Sequence, residues 1–239
     1  MRAIAVVIPC NDEEELLPRC LASVSAAIDH LRATIAHPPA VLVTIVLDDC
    51  RDRSESIARA SGFEVVVTEG HTVGSARAEG VASALARLDG VSRNGVAEIW
   101  IANTDADSAV PPTWLTTQFA LAESGCDLMV GTVRPDPADL SDAQRAAWLA
   151  THVLGEANGH VHGANLGHRA DRYLEVGGFG AVAEHEDVRL VERMRALPGL
   201  REVATDECWV LTSGRPVGRT PGGYARHLRD DLVAAEAVA

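Results

Sequence analysis

Two aspartates separated by one residue are the sharpest candidates for chemistry in this 239-residue sequence. Asp105 and Asp107 follow the apolar run 97–102, which has the character of a buried strand. In an extended backbone, residues i and i+2 point to the same side, so both carboxylates can converge on one ion. Carboxylate oxygens suit hard divalent cations, whose other positions take phosphate oxygens or water. The pattern therefore predicts a Mn²⁺ or Mg²⁺ site, and an exposed acidic turn is the alternative.

Acidic residues also follow two other apolar runs. Glu13 lies within an acidic cluster after the run 3–8, and Asp49 follows the run 41–47. In an open parallel sheet, ligands bind beyond the carboxyl ends of the strands. Acidic clusters at one edge of a sheet repel one another unless a cation or the hydrogen-bond donors of a ligand offset their charge. The three clusters therefore predict one ligand site at this edge.

The elements that position these clusters alternate between strands and helices. Apolar runs predict strands over 3–8, 41–47, 63–67 and 97–102, and three-to-four-residue periodicity predicts helices over 17–35, 54–60 and 73–88. Strands that are apolar throughout are typical of a sheet buried on both faces. The fold class predicted is α/β, with a mostly parallel, Rossmann-like central sheet and helices on both faces.

The rhythm changes after residue 103. The pattern predicts helices over 112–124, 142–154, 170–176, 187–197 and 224–238, strands over 128–133 and 202–211, and loops over 155–168 and 212–223. We expect one domain over 1–239, with halves at 1–110 and 111–211 and an appended loop and helix over 212–239.

Composition excludes several function classes. The formal net charge is −13, so binding of a long polyanion such as nucleic acid is not expected. All 21 basic residues are arginine, which excludes Schiff-base and P-loop lysine chemistry. The five cysteines form no CxxC pair, and no apolar run is long enough for a membrane helix. We therefore expect a cytoplasmic protein without a transmembrane segment.

Six motifs in order resemble the GT-A glycosyltransferases, and specifically the family 2 glycosyltransferases. These motifs are VVIPCNDEEELLPRCLASV, VLDDC, GSARAEG, NTDADSAVPPTWL, HGANLGHRADRYLEVGGF and EHEDVRLVERM. They are spread from residue 6 to residue 194, so the resemblance covers most of the chain. The resemblance implies a GT-A fold, a nucleotide-sugar donor, a nucleotide-binding first half and an acceptor-binding second half.

The resemblance also implies roles for individual residues. The implied donor-binding positions are Pro9, Glu13, Asp49, Arg77 and Asp105. Asp105 and Asp107 would bind the divalent metal together with the sugar diphosphate. Asp187 would be the base that deprotonates an acceptor hydroxyl, with inversion at the anomeric carbon. The alternative for Asp187 is a helix-start position, where a carboxylate is favoured by the helix dipole.

The segment after the last strand contains Arg215 and Arg219 among glycines and prolines. The guanidinium fork suits phosphate oxygens, and a glycine-rich segment can close over a diphosphate. We expect both arginines to bind the donor as part of a lid. A solvated surface loop is the alternative.

The acceptor side is expected to involve His162, Gly163, Asn165 and Glu186. Asn165 would donate a hydrogen bond to a sugar or phosphate. The histidines of this region lack zinc-type spacing, so a structural zinc site is disfavoured. Whether His162 or His185 joins the metal shell is left open.

These features favour a metal-dependent glycosyltransferase of the hexosyltransferase type. The donor is expected to be a UDP- or GDP-sugar and the acceptor a small or lipid-linked molecule, and a homodimer is left open. A sugar-1-phosphate nucleotidyltransferase is disfavoured, because an acidic turn stands where its glycine-rich phosphate loop would follow the first strand. A non-catalytic nucleotide-sugar-binding protein is the other alternative, and it would bind the donor without turnover.

Overall fold

The computed structural model describes residues 1–90, 95–182, 184–218 and 222–232. It contains an eight-stranded sheet in the order β3-β2-β1-β4-β7-β6-β8-β5. The strands are β1 Ala3–Cys10, β2 Ala40–Asp48, β3 Glu64–Thr68, β4 Ile99–Asn103, β5 Ser108–Ala109, β6 Leu128–Pro135, β7 Leu166–Arg169 and β8 Glu202–Thr212. The helices are α1 Leu17–Thr34, α2 Ser54–Ala60, α3 Val73–Arg87, α4 Trp114–Glu123, α5 Asp142–Thr151, α6 Ala170–Glu175, α7 Glu186–Arg195 and α8 Tyr224–Arg226. Short 3-10 turns lie at Gly95–Glu98, Pro137–Asp139 and Gly163–Asn165.

The central strand β1 is covered on both faces. It pairs in parallel with β2 and β4. Ile4, Val6 and Ile8 pack in one core with residues of α1, whereas Ala5 and Val7 pack in a second core with residues of α3. This two-sided burial explains why the strand is apolar throughout. The predicted α/β class, with a mostly parallel sheet between helices, is confirmed.

Two strands lie where the sequence predicted none. β7 is antiparallel to both β4 and β6, and its first residues fall within the predicted loop 155–168. The four residues of β7 carry no apolar alternation that would identify a strand. Gly167 fits there because a Cβ would lie 2.8 Å from the Trp100 ring. The two-residue β5 pairs antiparallel with β8 and is too short for any periodicity.

Helix α5 is shorter than predicted. It begins at a complete capping box formed by Ser141 and Gln144, and it ends at Thr151 rather than Leu154. At the C-terminus, α8 continues as a wider π-type helix over His227–Asp231. Residues 233–239 of the predicted last helix lie outside the described part of the chain. No helix within the described residues combines the length and apolar character needed to cross a bilayer.

Candidate functional site

The carboxyl ends of β1, β2 and β4 open into a cavity of about 530 Å³. This donor-side cavity is lined by six of the residues singled out from the sequence: Pro9, Glu13, Asp49, Asp105, Asp107 and Arg215. Arg77 lies beside it in a second cavity, and Arg219 falls outside the described residues. The acidic clusters therefore meet at one edge of the sheet, as their positions after successive strands predict.

Backbone strain is concentrated at these cavities. Among the described non-glycine residues, positive φ angles occur at Asp12, Asp49, His71 and His185. Asp49 and His71 line the donor-side cavity, and the His71 amide donates to Asp48 over 2.9 Å. Left-handed geometry costs a non-glycine residue about 1–3 kcal/mol and persists where surrounding contacts enforce it. The strained turns fix the direction of the acidic side chains.

Arg77 connects the two carboxylate groups of the site. Its Nη2 donates to Asp105 over 2.5 Å and its Nε to Glu186 over 3.2 Å, although α3 lies far from both in sequence. Arg77 is 1% exposed, and its Nη1 has no hydrogen-bond partner among the described residues. Burial raises the pKa of Glu186, while the Arg77 charge opposes that shift. Arg77 therefore connects Asp105, a candidate metal ligand, with Glu186, which adjoins the candidate base Asp187.

A second arginine covers the other side of the Asp-x-Asp pair. Arg215 donates through both Nη atoms to Glu13, at 3.0 and 2.7 Å, and lies 3.0 Å from Asp107. Burial, followed by repulsion from Asp105, raises the pKa of Asp107 to about 6, and the Arg215 charge acts in the opposite direction. The negative charge of the donor-side cavity is thus partly offset by this arginine.

A second cavity of about 510 Å³ adjoins the first and contains the predicted base. Asp187 is partly exposed to this acceptor-side cavity. Its carboxylate accepts hydrogen bonds from the Gly163 and Val188 amides, each at 2.7 Å. Asp105 lines both cavities. The metal candidate Asp105 and the base candidate Asp187 therefore both line the acceptor-side cavity, and Asp105 also lines the donor-side cavity.

The predicted acceptor residues divide into two groups. His162, Gly163 and Glu186 line the acceptor-side cavity. Asn165 does not: its side chain is fully buried, donates to the Thr132 and Cys208 carbonyls, and accepts from Trp114. The structure therefore corrects the expectation that Asn165 meets a sugar or phosphate. Its amide instead connects, by hydrogen bonds, the segments that contain Trp114, Thr132 and Cys208.

Several residues that line the cavities were not identified from the sequence. His152, Tyr224 and His227 border the acceptor-side cavity, and Thr212 borders both cavities. No sequence motif links Tyr224, His227 or His152 to the acidic clusters. The only signal available was the richness in histidine of the stretch 152–168.

The donor atoms of the Asp-x-Asp pair fit a hard divalent cation. Both carboxylates line one cavity, and repulsion between them is among the causes that raise the pKa of Asp107. Another acidic cluster, Asp12 with Cys50 and Asp52, has ligand atoms within 4.8 Å of one another. Asp12 of that cluster accepts a hydrogen bond from the Arg51 amide at 2.6 Å, and Asp105 and Asp107 are each paired with an arginine. The Asp-x-Asp pair offers two carboxylates to one cavity, and carboxylate oxygens suit Mn²⁺ or Mg²⁺.

Comparison with known proteins gives a family match over most of the chain. The family model described as Glycosyl transferase family 2 matches residues 5–169. An uncharacterized glycosyltransferase of Mycobacterium bovis is 29% identical over 133 residues, which is 56% of this chain and 50% of that protein. A Mycobacterium tuberculosis relative matches to the same extent. The chain spans about half the length of these curated relatives.

Solved structures share the fold. The Staphylococcus aureus TarS fragment in complex with UDP-GlcNAc has a TM-score of 0.64 at 13% identity, covering 98% of this chain and 65% of that one. The Pyrobaculum calidifontis mannosyltransferase PcManGT, in complex with GDP-Man and Mn²⁺, has a TM-score of 0.59 at 17% identity, covering 98% and 64%. These structures have the GT-A fold, which confirms the predicted fold.

Proposed function

The chain belongs to glycosyl transferase family 2, and on that premise we propose that it transfers a hexose from a nucleoside diphosphate sugar to an acceptor hydroxyl. The observation that carries the proposal is the junction of the two cavities. Asp105, at the metal candidate, lines both cavities, and Asp187, at the base candidate, lines the second. A transferase that joins two substrates needs this side-by-side arrangement.

The donor would occupy the cavity at the carboxyl ends of β1, β2 and β4. Pro9, Glu13 and Asp49 line the part farther from Asp187, where the nucleoside would lie. Two structural neighbours carry UDP-GlcNAc and GDP-Man, which supports a UDP- or GDP-sugar as donor here. Arg215 is positioned for the diphosphate, because it already binds the Glu13 and Asp107 carboxylates that face the same space.

A divalent cation held by Asp105 and Asp107 would stabilise the negative charge that develops on the departing nucleoside diphosphate. One neighbour is a complex with Mn²⁺, which supports a metal requirement. Arg77 would keep Asp105 in place while its own charge remains buried. Asp105 and Asp107 would thus position the leaving group, and the Arg77 charge would reduce the repulsion between the acids at this edge of the sheet.

Asp187 would act as the general base in an inverting displacement. Backbone amides of Gly163 and Val188 orient its carboxylate toward the acceptor-side cavity, which leaves oxygen lone pairs for an acceptor hydroxyl. One base facing one acceptor is the requirement of a direct in-line displacement. Anomeric NMR of the product tests the stereochemistry: a product with retained configuration would refute the inverting assignment.

Release of nucleoside diphosphate from UDP-glucose, UDP-GlcNAc and GDP-mannose, with and without Mn²⁺, tests the proposed activity. We expect turnover with one of these donors in the presence of an acceptor library, and a fall of about 10²–10⁴-fold in kcat for Asp187→Asn at unchanged donor affinity. Asp142→Asn, at a 99% exposed side chain, is the matched control. Retained turnover in Asp187→Asn would remove Asp187 as the base, and donor binding without turnover for any acceptor would indicate a non-catalytic binding protein.

A further inference from the structure

Four histidines form one wall of the acceptor-side cavity. We define this histidine wall as His152, His160, His162 and His227, all of which line the cavity. The rings follow one another closely: His152 to His160 and His160 to His162 are each 6.2 Å between centroids. Tyr224 joins the last two, at 5.4 Å from His162 and 6.0 Å from His227. The wall is therefore a row of three imidazoles that continues through the Tyr224 ring to a fourth imidazole.

Acidic side chains line another part of this cavity, among apolar and neutral residues. Asp105, Glu184, Glu186 and Asp187 line it, together with the buried Arg77 and with His185. If the acceptor hydroxyl points at Asp187, the remainder of the acceptor extends away from the acids. Among the described residues that line this cavity, the side-chain N–H donors belong to the histidine wall, His185 and the Arg77 guanidinium. The polarity of the cavity would thus orient an acceptor, with its hydroxyl end at Asp187 and its other end at the histidine wall.

Burial and the crowding of the imidazoles both favour the neutral form of His152 and His162. Burial, followed by the proximity of His160, His227 and His152, lowers the pKa of His162 to about 4. Burial is also the main cause of the lowered pKa of His152, with smaller contributions from His160 and His227. An anion placed between the rings would reverse this mutual repulsion and favour their protonated, doubly donating form.

Other ligands fit the wall less well. Among the described residues, the three-membered metal-ligand group is that of Asp12, Cys50 and Asp52, and no histidine of the wall belongs to such a group. The ring pairs His152–His160 and His160–His162 meet edge-on, at 86° and 68°, so they do not form one flat platform for a sugar face. The face of Trp148 is covered by His152, stacked at 4.2 Å. Imidazole N–H groups bind oxyanions, and the Nδ1 of His152 already contacts the Trp148 carbonyl at 2.9 Å.

We propose that the acceptor carries an acidic group, a carboxylate or a phosphate monoester, which the histidine wall binds while the acceptor hydroxyl faces Asp187. This inference rests on the proposed function, and it adds the chemical class of the second substrate. His160 and His227 project from two different elements, so they can contact the group from two sides.

Histidine-detected NMR of the intact chain tests the proposal without requiring turnover. Inorganic phosphate, malonate and methyl α-D-glucopyranoside serve as probes for a phosphate ester, a carboxylic acid and a neutral sugar. We expect phosphate or malonate to shift the His160 and His162 resonances and to raise their titration midpoints, and the two probes distinguish the two acids. Exposed His37 is the internal reference, and His71 reports binding in the donor-side cavity instead.

Two results would overturn the proposal. One is a shift of the wall resonances by methyl glucoside but by neither anion; the other is an anion response confined to His71 or absent. In the His160→Asn/His162→Asn double variant the anion affinity should fall about tenfold or more, whereas His37→Asn should leave it unchanged. Equal affinity in the double variant would likewise contradict the proposal. Intact anion binding without sugar transfer would count against the proposed function alone, and sugar transfer without anion binding against the acidic acceptor alone.

Discussion

At the scale of single residues, Arg77 is the site residue whose ion pairs matter most for the stability of the structure. It is buried and pairs with both Asp105 and Glu186. Removing one partner of a buried ion pair leaves the other charges uncompensated and costs about 3–5 kcal/mol. Spacing along the chain could not predict these two ion pairs, because they join Arg77 to residues 28 and 109 positions away. The sequence identified Arg77 as a donor-side residue, whereas the structure makes it the link between the two acids.

Arg77→Met should therefore lower the free energy of unfolding by about 3–5 kcal/mol in urea denaturation. The matched control is Arg59→Met, since Arg59 forms an exposed pair with Glu55 and its loss should cost under about 1 kcal/mol. Equal stability of the Arg77 and Arg59 variants would show that the buried pair is not coupled to folding.

His168 makes a second prediction at this scale, on acid stability. The ring is fully buried and stacked on Tyr173 at 5.1 Å, and burial lowers its pKa to about 3, with the Arg77 charge acting in the same direction. The unfolded chain therefore binds more protons than the folded chain below the ordinary histidine pKa of about 6.5. Stability from neutral His168 is present above that pH and is lost as pH falls toward 3.

The His168→Phe variant should lose less stability on acidification. Between pH 7 and pH 5, its unfolding free energy should fall by about 2 kcal/mol less than that of the wild type. Urea titrations at both pH values provide the measurement, and His37→Asn, at an exposed position, should retain the wild-type pH dependence. Parallel pH curves for wild type and His168→Phe would contradict the buried-imidazole explanation.

At the scale of elements, the fit of α3 against the sheet depends on one glycine. A Cβ at Gly80 would lie 2.6 Å from Val7 and 2.7 Å from Val46, which are side chains of β1 and β2. Helix α3 also carries Arg77, so its distance from the sheet sets the position of the guanidinium. The sequence motif around Gly80 indicated a helix, but not which of its positions faces the strands.

Gly80→Leu should destabilise the fold by about 1–3 kcal/mol or more, because overpacking forces side chains off their rotamers or shifts the helix. Ala82→Leu adds similar bulk to an exposed position of the same helix and should be nearly neutral. Thermal or urea unfolding of the pair gives the comparison. If the Gly80→Leu variant were as stable as the Ala82→Leu variant, close approach of α3 to the sheet would not be a requirement of the fold.

The first half of the chain was predictable as elements because its strands are apolar throughout and its helices have a regular period. Helix α1 and strands β1, β2 and β4 lie close to their predicted positions. Strand β7 was missed, since its identity as a strand depends on pairing with β4 and β6 rather than on its own four residues. Local pattern cannot reveal an element that long-range pairing creates.

At the scale of the whole molecule, one sheet edge collects charge from distant parts of the chain. Glu13 and Arg215 meet although 202 positions separate them. The Asp-x-Asp pair and the acids after β1 and β2 were predictable as a group from strand order, because parallel strands end at the same edge. The sequence also suggested Arg77 and Arg215 for the donor, but their pairing with these acids and the row of histidines were not predictable, since these contacts join distant segments. A net charge of −13 makes such local compensation necessary for a diphosphate ligand.

Calorimetric titration of UDP and GDP into the chain, with and without Mn²⁺, tests the proposed donor site most directly. We expect that one of these nucleotides binds in a Mn²⁺-dependent manner, and that Asp107→Asn weakens this binding by at least about tenfold while Asp142→Asn does not. Absence of binding by both nucleotides, or affinity that is equal with and without Mn²⁺, would contradict a metal-assisted nucleotide-sugar site at the edge of the sheet.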